Sequence, residues 1–407
     1  MTNKIVIHNK NLIHVSLCVF CLSWLNNGFV AQIPMIGIIP FLGIFGLWLY
    51  IYMGATSFKL EIKNKWFLIY LVSLLISSIF HNKPFNKFTY GTIYLGIILL
   101  FFTQYSKSQK AEDRKVIIYY YLFENIVMAL KTIYISLIDP LYVRTVTAGV
   151  ETNIEYNGFM VAKFDNIYVF SILAVFFILI ANDTKNKFAF YSMALIYMTC
   201  VYLANFATAF LISLMFILLI FLFKSPKKVI LFTCVSGLLI FLLKPYVAHI
   251  ALKIGSSGFL SPFMSKKLID IYDVFSGTTG NNMDNTWYIR EQYSRDAIKV
   301  FFNHPFIGVY GRGRFIAENN LLRDHNVWFD FMASFGILRA FPFLMFLSSW
   351  YKKIIKKVDL EKKAPYSLAF ILWILFGMFN PLNKSSMHIM LFVFMPFMIS
   401  EIKDNNI

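Results

Sequence analysis

The sequence predicts an all-α, polytopic integral membrane protein, and three observations lead there: the composition, the recurrence of apolar runs and the placement of basic residues. Hydrophobic residues make up 58% of the 407 positions and charged residues only 14%, which is too apolar for a soluble protein of this length. The mean hydropathy is +0.63. We expect residues 1–407 to form a single transmembrane domain.

Apolar runs bounded by polar residues predict about twelve transmembrane helices. The first run lacks a small-residue cleavage site, so we expect a retained helix and not a signal peptide. The least distinct boundary falls between residues 204 and 208. The predicted spans lie near residues 11–27, 31–53, 66–80, 89–104, 116–137, 166–181, 188–204, 207–223, 229–243, 326–350, 366–380 and 386–401.

Lysine and arginine concentrate in alternate connecting segments, such as residues 224–228 and 352–363. Because short cytoplasmic loops carry the positive excess, this pattern places both termini in the cytoplasm. It also places two longer segments outside: residues 138–165, between the fifth and sixth spans, and residues 244–325, between the ninth and tenth. The second is a large polar loop in which we expect short helices, and it alone has room for chemistry.

The net charge of +17 mostly orients the chain in its membrane, and no basic face on a soluble domain predicts nucleic-acid binding. The cysteines, Cys18, Cys21, Cys200 and Cys234, all lie in apolar spans and are interpreted as packing residues. No His-x-x-x-His or carboxylate cluster appears in the external segments, and Asp270 with Asp273 is typical of a solvated face. We therefore expect a reaction without a metal ion or other cofactor.

The first half of the large loop, residues 244–285, offers a Gly-Ser-Ser-Gly turn at residues 255–258 but no catalytic candidate. Apolar residues at spacings of three and four then predict a helix over 287–303, ending before Pro305. Arg290 and Arg295 lie about 140° apart on this helix. Arg295 has Glu291 as an i,i−4 partner, whereas Arg290 has no acid at i+4 and is the better candidate for binding an anion.

Two further features precede the tenth span. The run Gly308-Val-Tyr-Gly311-Arg312-Gly313-Arg314 combines glycines with guanidinium groups, which suits either a phosphate cradle or a turn with solvated arginines. His325, beside Asp324, is a candidate general base at the membrane surface, and an interfacial or helix-capping role is the alternative.

These pieces together resemble the signature loop of the O-antigen polymerase and O-antigen ligase superfamily. The resemblance rests on an arginine-bearing helix, a turn similar to the family's Asn-Pro-hydrophobic-Gly-x-Gly, and a His-Asn pair entering a helix with a Gly-Ile-hydrophobic step. It is carried by Trp287-Tyr-Ile-Arg290, by the run from Ala297 through His304-Pro-Phe-Ile-Gly308 to Gly311, by His325-Asn326 and by Phe331-Met-Ala-Ser-Phe-Gly336-Ile-Leu338. In the second loop, Arg144, Gly149 and Asp165-Asn166 follow the same family pattern. Two departures stand out: the family's Ser-Arg is missing near residues 205–209, and Arg339 stands where a small residue is usual.

The resemblance implies a GT-C-like enzyme in the bacterial inner membrane, transferring sugar units from undecaprenyl pyrophosphate with inversion at the outer face. It implies that Arg290 and His325 are catalytic. The candidate substrate-binding residues are Arg144, Arg295, Arg312, Arg314 and Asn326. The implied partners are the lipid-linked oligosaccharide, membrane lipid and a chain-length regulator protein.

Three functions stay open. A polymerase, for O-antigen or capsule, is favoured over a ligase acting on lipid A-core because the Ser-Arg is missing. A flippase or transporter would use ionisable residues inside the spans, and Glu124, Lys131, Asp330 and Arg339 lie there. A transporter would not need so long an external loop, however, and the two halves of the chain show no repeat.

Overall fold

The computed structural model describes a large part of the chain. The described residues are 2–26, 30, 41–47, 65–80, 111–147, 160–181, 184–223, 228–229, 231–232, 235, 243–258, 262–276, 286–309, 326–356, 363–380, 382 and 385–403. Within these ranges the backbone forms helices and turns and no β-strand. The predicted all-helical class is confirmed for this part of the chain.

The helices follow one another with short connections wherever both ends are described. They are α1 (Thr2–Leu25), α2 (Lys65–Phe80), α3 (Ala111–Ile138), α4 (Tyr142–Thr147), α5 (Phe164–Ala181), α6 (Lys187–Leu203), α7 (Ala207–Phe223), α8 (Lys244–Gly255), α9 (Pro262–Ser276), α10 (Thr286–Asn303), α11 (Val327–Ile355), α12 (Lys363–Phe379), α13 (Ser385–Ile389) and α14 (Met395–Lys403). A π-helical segment, Met390–Phe394, joins the last two. Among the described residues, three helices are long and apolar enough to cross a membrane, namely α3, α5 and α11.

Most predicted spans coincide with these helices to within a few residues, including the boundary near 204–208, where a turn separates α6 from α7. The predicted span at 89–104 lies outside the described residues, as do most of those at 31–53 and 229–243. Cys18, Cys21 and Cys200 are free and fully buried, which agrees with their predicted packing role. Cys234 is outside the described residues.

The central helix is α5, which packs against α6, α7, α12 and α13. Nearly all of its side chains are buried. Its two polar residues at the amino-terminal end have partners on other elements: Asn166 Nδ2 donates to the carbonyl of Asn26, directly after α1, at 2.9 Å, and Ser386 Oγ of α13 donates to Asp165 Oδ2. Such pairing is required where water is excluded.

A second buried polar group joins α1 to α3. The Glu124 carboxylate accepts hydrogen bonds from Ser23 Oγ, from Asn26 Nδ2 at 3.1 Å and from Tyr120 Oη at 3.2 Å. Glu124 was one of the residues that would suit a transporter. Here it is 2% exposed and ties two helices together.

Helices α8 and α9 pack closely against each other as a helical hairpin. Gly255 ends α8, and a Cβ at this position would lie 3.1 Å from the Ser265 carbonyl oxygen. The turn continues through Gly258 with a φ of +71°. The predicted Gly-Ser-Ser-Gly turn is therefore confirmed, and a close approach of two helices explains its first glycine.

Helix α11 is interrupted at Gly336, which has a φ of 60° and a ψ of −177°. The segment after α10 docks into this interruption. Ile337 N donates to the Pro305 carbonyl at 2.7 Å, Leu338 N donates to the Phe306 carbonyl at 3.0 Å, and Val309 N donates to the Ala333 carbonyl at 3.2 Å. Two motifs that lie some thirty residues apart in the sequence thus interlock through their backbones, and we call this contact the α10–α11 interlock.

The α10–α11 interlock requires two glycines, Gly308 on one side of the contact and Gly336 on the other. Gly308 also has a φ of +71°, and a Cβ there would lie 2.5 Å from Phe335 N and Ser334 C. A Cβ at Gly336 would overlap the Phe306 carbonyl. Left-handed backbone and the lack of space both favour glycine at these positions.

Candidate functional site

Helix α10 carries Arg290 and is held against α11 by its apolar face. Ala297 and Val300, 0% and 3% exposed, pack with Ala333 of α11. The helix spans Thr286–Asn303, so the predicted bounds and the end before Pro305 are confirmed. The interlock begins two residues after the helix ends, so both the helix face and the following turn fix α10 relative to α11.

The two arginines of α10 have different surroundings. Arg295 Nη2 lies 2.6 Å from Glu291 Oε1, and the side chains are 70% and 48% exposed. The pairing predicted from their spacing is confirmed, and a pair this exposed contributes little to stability. Arg290 is half-buried. A role for Arg295 in binding substrate stays a prediction.

Arg144 lies on α4, between α3 and the start of α5, and its position is fixed by the turn between α6 and α7. Arg144 Nη1 donates to the Asn205 carbonyl at 3.3 Å, and its guanidinium carbon lies 5.8 Å from the centre of the Phe206 ring. Asn205 adopts a φ of 62°, and its Nδ2 donates to the Pro140 carbonyl at 2.7 Å. The turn therefore contacts both Arg144 and the residue two positions before α4.

Arg144, Arg290 and Lys267 lie within electrostatic reach of one another. Burial lowers the pKa of Arg144, and the positive charge of Arg290 lowers it further, while Tyr168 of α5 acts in the opposite direction. Burial also lowers the pKa of Lys267, with smaller contributions from Arg144 and Arg290 and an opposing one from Asp270. Three cations on three different elements, α4, α9 and α10, thus lie within mutual electrostatic reach, and we call them the cation cluster.

The sequence pattern does not single out Lys267, and it predicts a solvated face at Asp270, which the structure contradicts. Lys267 Nζ lies 3.1 Å from Asp270 Oδ2, and the side chains are 14% and 8% exposed. The prediction of a solvated face is wrong for Asp270, because α9 packs between α8 and α10. The only available signal was the i,i+3 spacing of a lysine and an acid, which is common on solvated helices.

Asn326 is the N-cap of α11. Its Oδ1 accepts from Trp328 N at 3.1 Å and Phe329 N at 3.2 Å, while Asp330 Oδ2 accepts from Asn326 N at 2.8 Å. This is a structural task for a residue also predicted to bind substrate. It fixes the chain direction immediately after His325. His325, Arg312 and Arg314 themselves lie outside the described residues.

Arg339, for which the sequence offered no explanation, is fully buried in α11. Its guanidinium carbon lies 3.8 Å from the centre of the Phe335 ring and 6.0 Å from that of Tyr70 on α2. A guanidinium over an aromatic face gains electrostatic attraction from the ring. Arg339 therefore contributes to the packing of α2 against α11.

The arrangement suits an anion bearing several negative charges, because cations held close together repel until such an anion binds. Among the described residues, no group of three histidine, cysteine, aspartate or glutamate side chains is placed to hold a metal ion. No family model matches the chain, and comparison with curated proteins gave no match.

Proposed function

We propose that the protein is a bacterial polysaccharide polymerase, for O-antigen or capsule, that joins oligosaccharide repeat units carried on undecaprenyl pyrophosphate. The observation that carries the proposal is the cation cluster, in which Arg144, Lys267 and Arg290 from three separate elements lie within electrostatic reach of one another, with Lys267 also paired to Asp270. In this proposal about twelve spans cross the inner membrane, both termini are cytoplasmic, and the cluster lies at the outer face.

The proposed reaction has a leaving group that matches the cluster. A hydroxyl of the acceptor sugar attacks the anomeric carbon of the donor, a new glycosidic bond forms with inversion, and the bond from that carbon to the pyrophosphate oxygen breaks. The electron pair of the broken bond leaves with the lipid pyrophosphate, whose charge the guanidinium and ammonium groups stabilise. His325 takes the hydroxyl proton as general base. Arg312 and Arg314 are proposed as further phosphate ligands.

The interlock supports this assignment of roles. It couples the helix that carries Arg290 to the helix that begins after His325 and Asn326 through backbone hydrogen bonds. A leaving-group ligand and a general base must keep a fixed separation for an in-line displacement to work. A contact between two backbones maintains that separation better than a contact between two side chains. Side chains add rotatable bonds between the helices that they join, whereas backbone hydrogen bonds do not.

Deleting the gene and examining the surface polysaccharide on a gel tests the proposal. A lipopolysaccharide core with a single repeat and no ladder, or loss of polymeric capsule, is expected for a polymerase. A naked core with lipid-linked polymer accumulating would indicate a ligase, and a naked core without polymer would indicate a flippase.

Complementation then tests the site. We expect Arg290→Ala to abolish the polymer, whereas Lys299→Ala, which removes an exposed cation from the same helix, should retain it. The protein level of each variant is measured by immunoblot. A full ladder from Arg290→Ala at normal protein level would exclude the proposed role of the cluster.

A further inference from the structure

Helix α8 presents an apolar stripe to its surroundings on the side away from the hairpin. Four residues at spacings of three and four are exposed by 44%, 71%, 58% and 47%, namely Leu243, Tyr246, Ile250 and Ile254. At ~100° per residue they fall within about 80° of the helix circumference. Contiguous exposed apolar surface of this kind marks an interaction site.

The residues of the stripe do not face α9, the other helix of the hairpin. The opposite face of α8, with Ala248, Ala251 and Gly255, is buried and lies against α9, as the close approach of Gly255 to Ser265 shows. The helix has 12 residues and is thus about 18 Å long, too short to cross a bilayer. Helix α8 therefore has its protein partner on one side and a second apolar face on the other.

The position of α8 in the bundle indicates what covers this face. The exposed apolar side of α3 reaches its last residues, with Leu137 66% exposed and Leu141, just beyond, 50% exposed. Arg144 follows three residues later and lies within electrostatic reach of Lys267 on α9, which packs on α8. The hairpin of α8 and α9 therefore lies near the end of α3, where the exposed apolar surface of α3 stops.

We propose that α8 lies in the plane of the membrane surface, with its stripe in the boundary between lipid headgroups and acyl chains. The helix contains no acidic residue, and His249 and Lys253 are exposed beside the stripe, where they suit lipid phosphates. Tyr246 has an apolar ring and a polar hydroxyl, the combination enriched at this depth. The anchored hairpin would hold Lys267 at the level of the headgroups, whichever anion the cation cluster binds.

Single cysteines carrying a nitroxide spin label test the proposal in the full-length protein, in nanodiscs of phosphatidylethanolamine and phosphatidylglycerol. The labelled positions are Tyr246→Cys, Ile250→Cys and Ile254→Cys, with His249→Cys as the matched control on the same helix. Cys18, Cys21 and Cys200 are fully buried, and labelling of the parent chain measures any background. Collision with oxygen, which dissolves in lipid, is compared with collision with a water-soluble nickel chelate.

We expect the ratio of oxygen to nickel collisions to be several-fold higher at the three stripe positions than at His249→Cys. Equally low ratios of oxygen to nickel collisions at all four positions would mean that the stripe faces water. Few collisions with either reagent at the stripe would mean that a protein surface covers it. Either result overturns the proposal. Unchanged unfolding temperatures of the variants exclude misfolding as the cause, and exposed positions make misfolding a small risk.

Discussion

Gly308 offers a quantitative test of the α10–α11 interlock, because Gly258 supplies a matched control. Both glycines have a φ of +71°, but a Cβ at Gly258 meets nothing within 4 Å, whereas one at Gly308 would lie 2.5 Å from backbone atoms of α11. For Gly258→Ala the left-handed backbone alone is strained, which costs about 1–2 kcal/mol.

For Gly308→Ala the same strain applies, and the turn must also move away from α11. That movement breaks the three backbone hydrogen bonds of the interlock, each contributing about 0.5–1.5 kcal/mol net. The expected loss is therefore about 2.5–6.5 kcal/mol, roughly two to three times the loss for Gly258→Ala.

The assay is unfolding of the purified protein in mixed micelles with increasing denaturing detergent, followed by circular dichroism, for the parent and both variants. Gly308→Ala should shift the midpoint much further than Gly258→Ala. If the two shifts are equal, the turn is not docked against α11, and the argument that couples Arg290 to His325 fails with it.

Three further predictions follow from single contacts. Asn326→Ala removes the N-cap of α11 and should destabilise the protein by about 1 kcal/mol. Asn326→Ser keeps a hydrogen-bond acceptor and should lose less stability, so equal losses for the two variants in detergent unfolding would contradict the capping role. Lys267 has a pKa below its ordinary value of 10.5, so affinity for inorganic pyrophosphate should fall as the pH rises through the lowered pKa toward 10.5. Lys267→Arg stays charged and should retain affinity to higher pH in calorimetric titrations, and a parallel fall in both proteins would remove Lys267 from the site. Arg114 Nε lies 2.7 Å from the fully buried Glu401 carboxylate, so Arg114→Met should destabilise the protein by roughly 3–5 kcal/mol because it leaves a buried charge unpaired. The double variant with Glu401→Met should recover most of that stability. A double variant as unstable as the single one would show that the ion pair itself stabilises the fold.

The sequence predicted those features that depend on local pattern. The bounds of α10, the pairing of Arg295 with Glu291 and the turn after α8 all follow from residues within about one or two helical turns of each other. Composition was sufficient for the all-helical class. These predictions succeeded because neighbouring residues alone determine the outcome.

The features that were missed depend on contacts between elements distant in sequence. Asp270 is buried only because α9 packs between α8 and α10, and Lys267 reaches the cation cluster for the same reason. The order of the motifs around Gly308 and Gly336 was visible in the sequence, but not that their backbones hydrogen-bond to each other. Arg339 is explained only when the rings of Phe335 and Tyr70 are brought beside it.

The cation cluster is assembled by contacts other than those among its own charges. Arg144 is fixed by the Asn205 carbonyl, Lys267 by its pairing with Asp270, and Arg290 by the packing of its helix on α11. Like charges repel, so contacts elsewhere in the fold offset that repulsion, Asp270 opposes it at Lys267, and an anion that binds among the three cations relieves what remains. Preorganised charge of this kind stabilises a developing negative charge without rearrangement at the moment of reaction. Stability of the unbound protein and strength of anion binding are therefore opposed at this site.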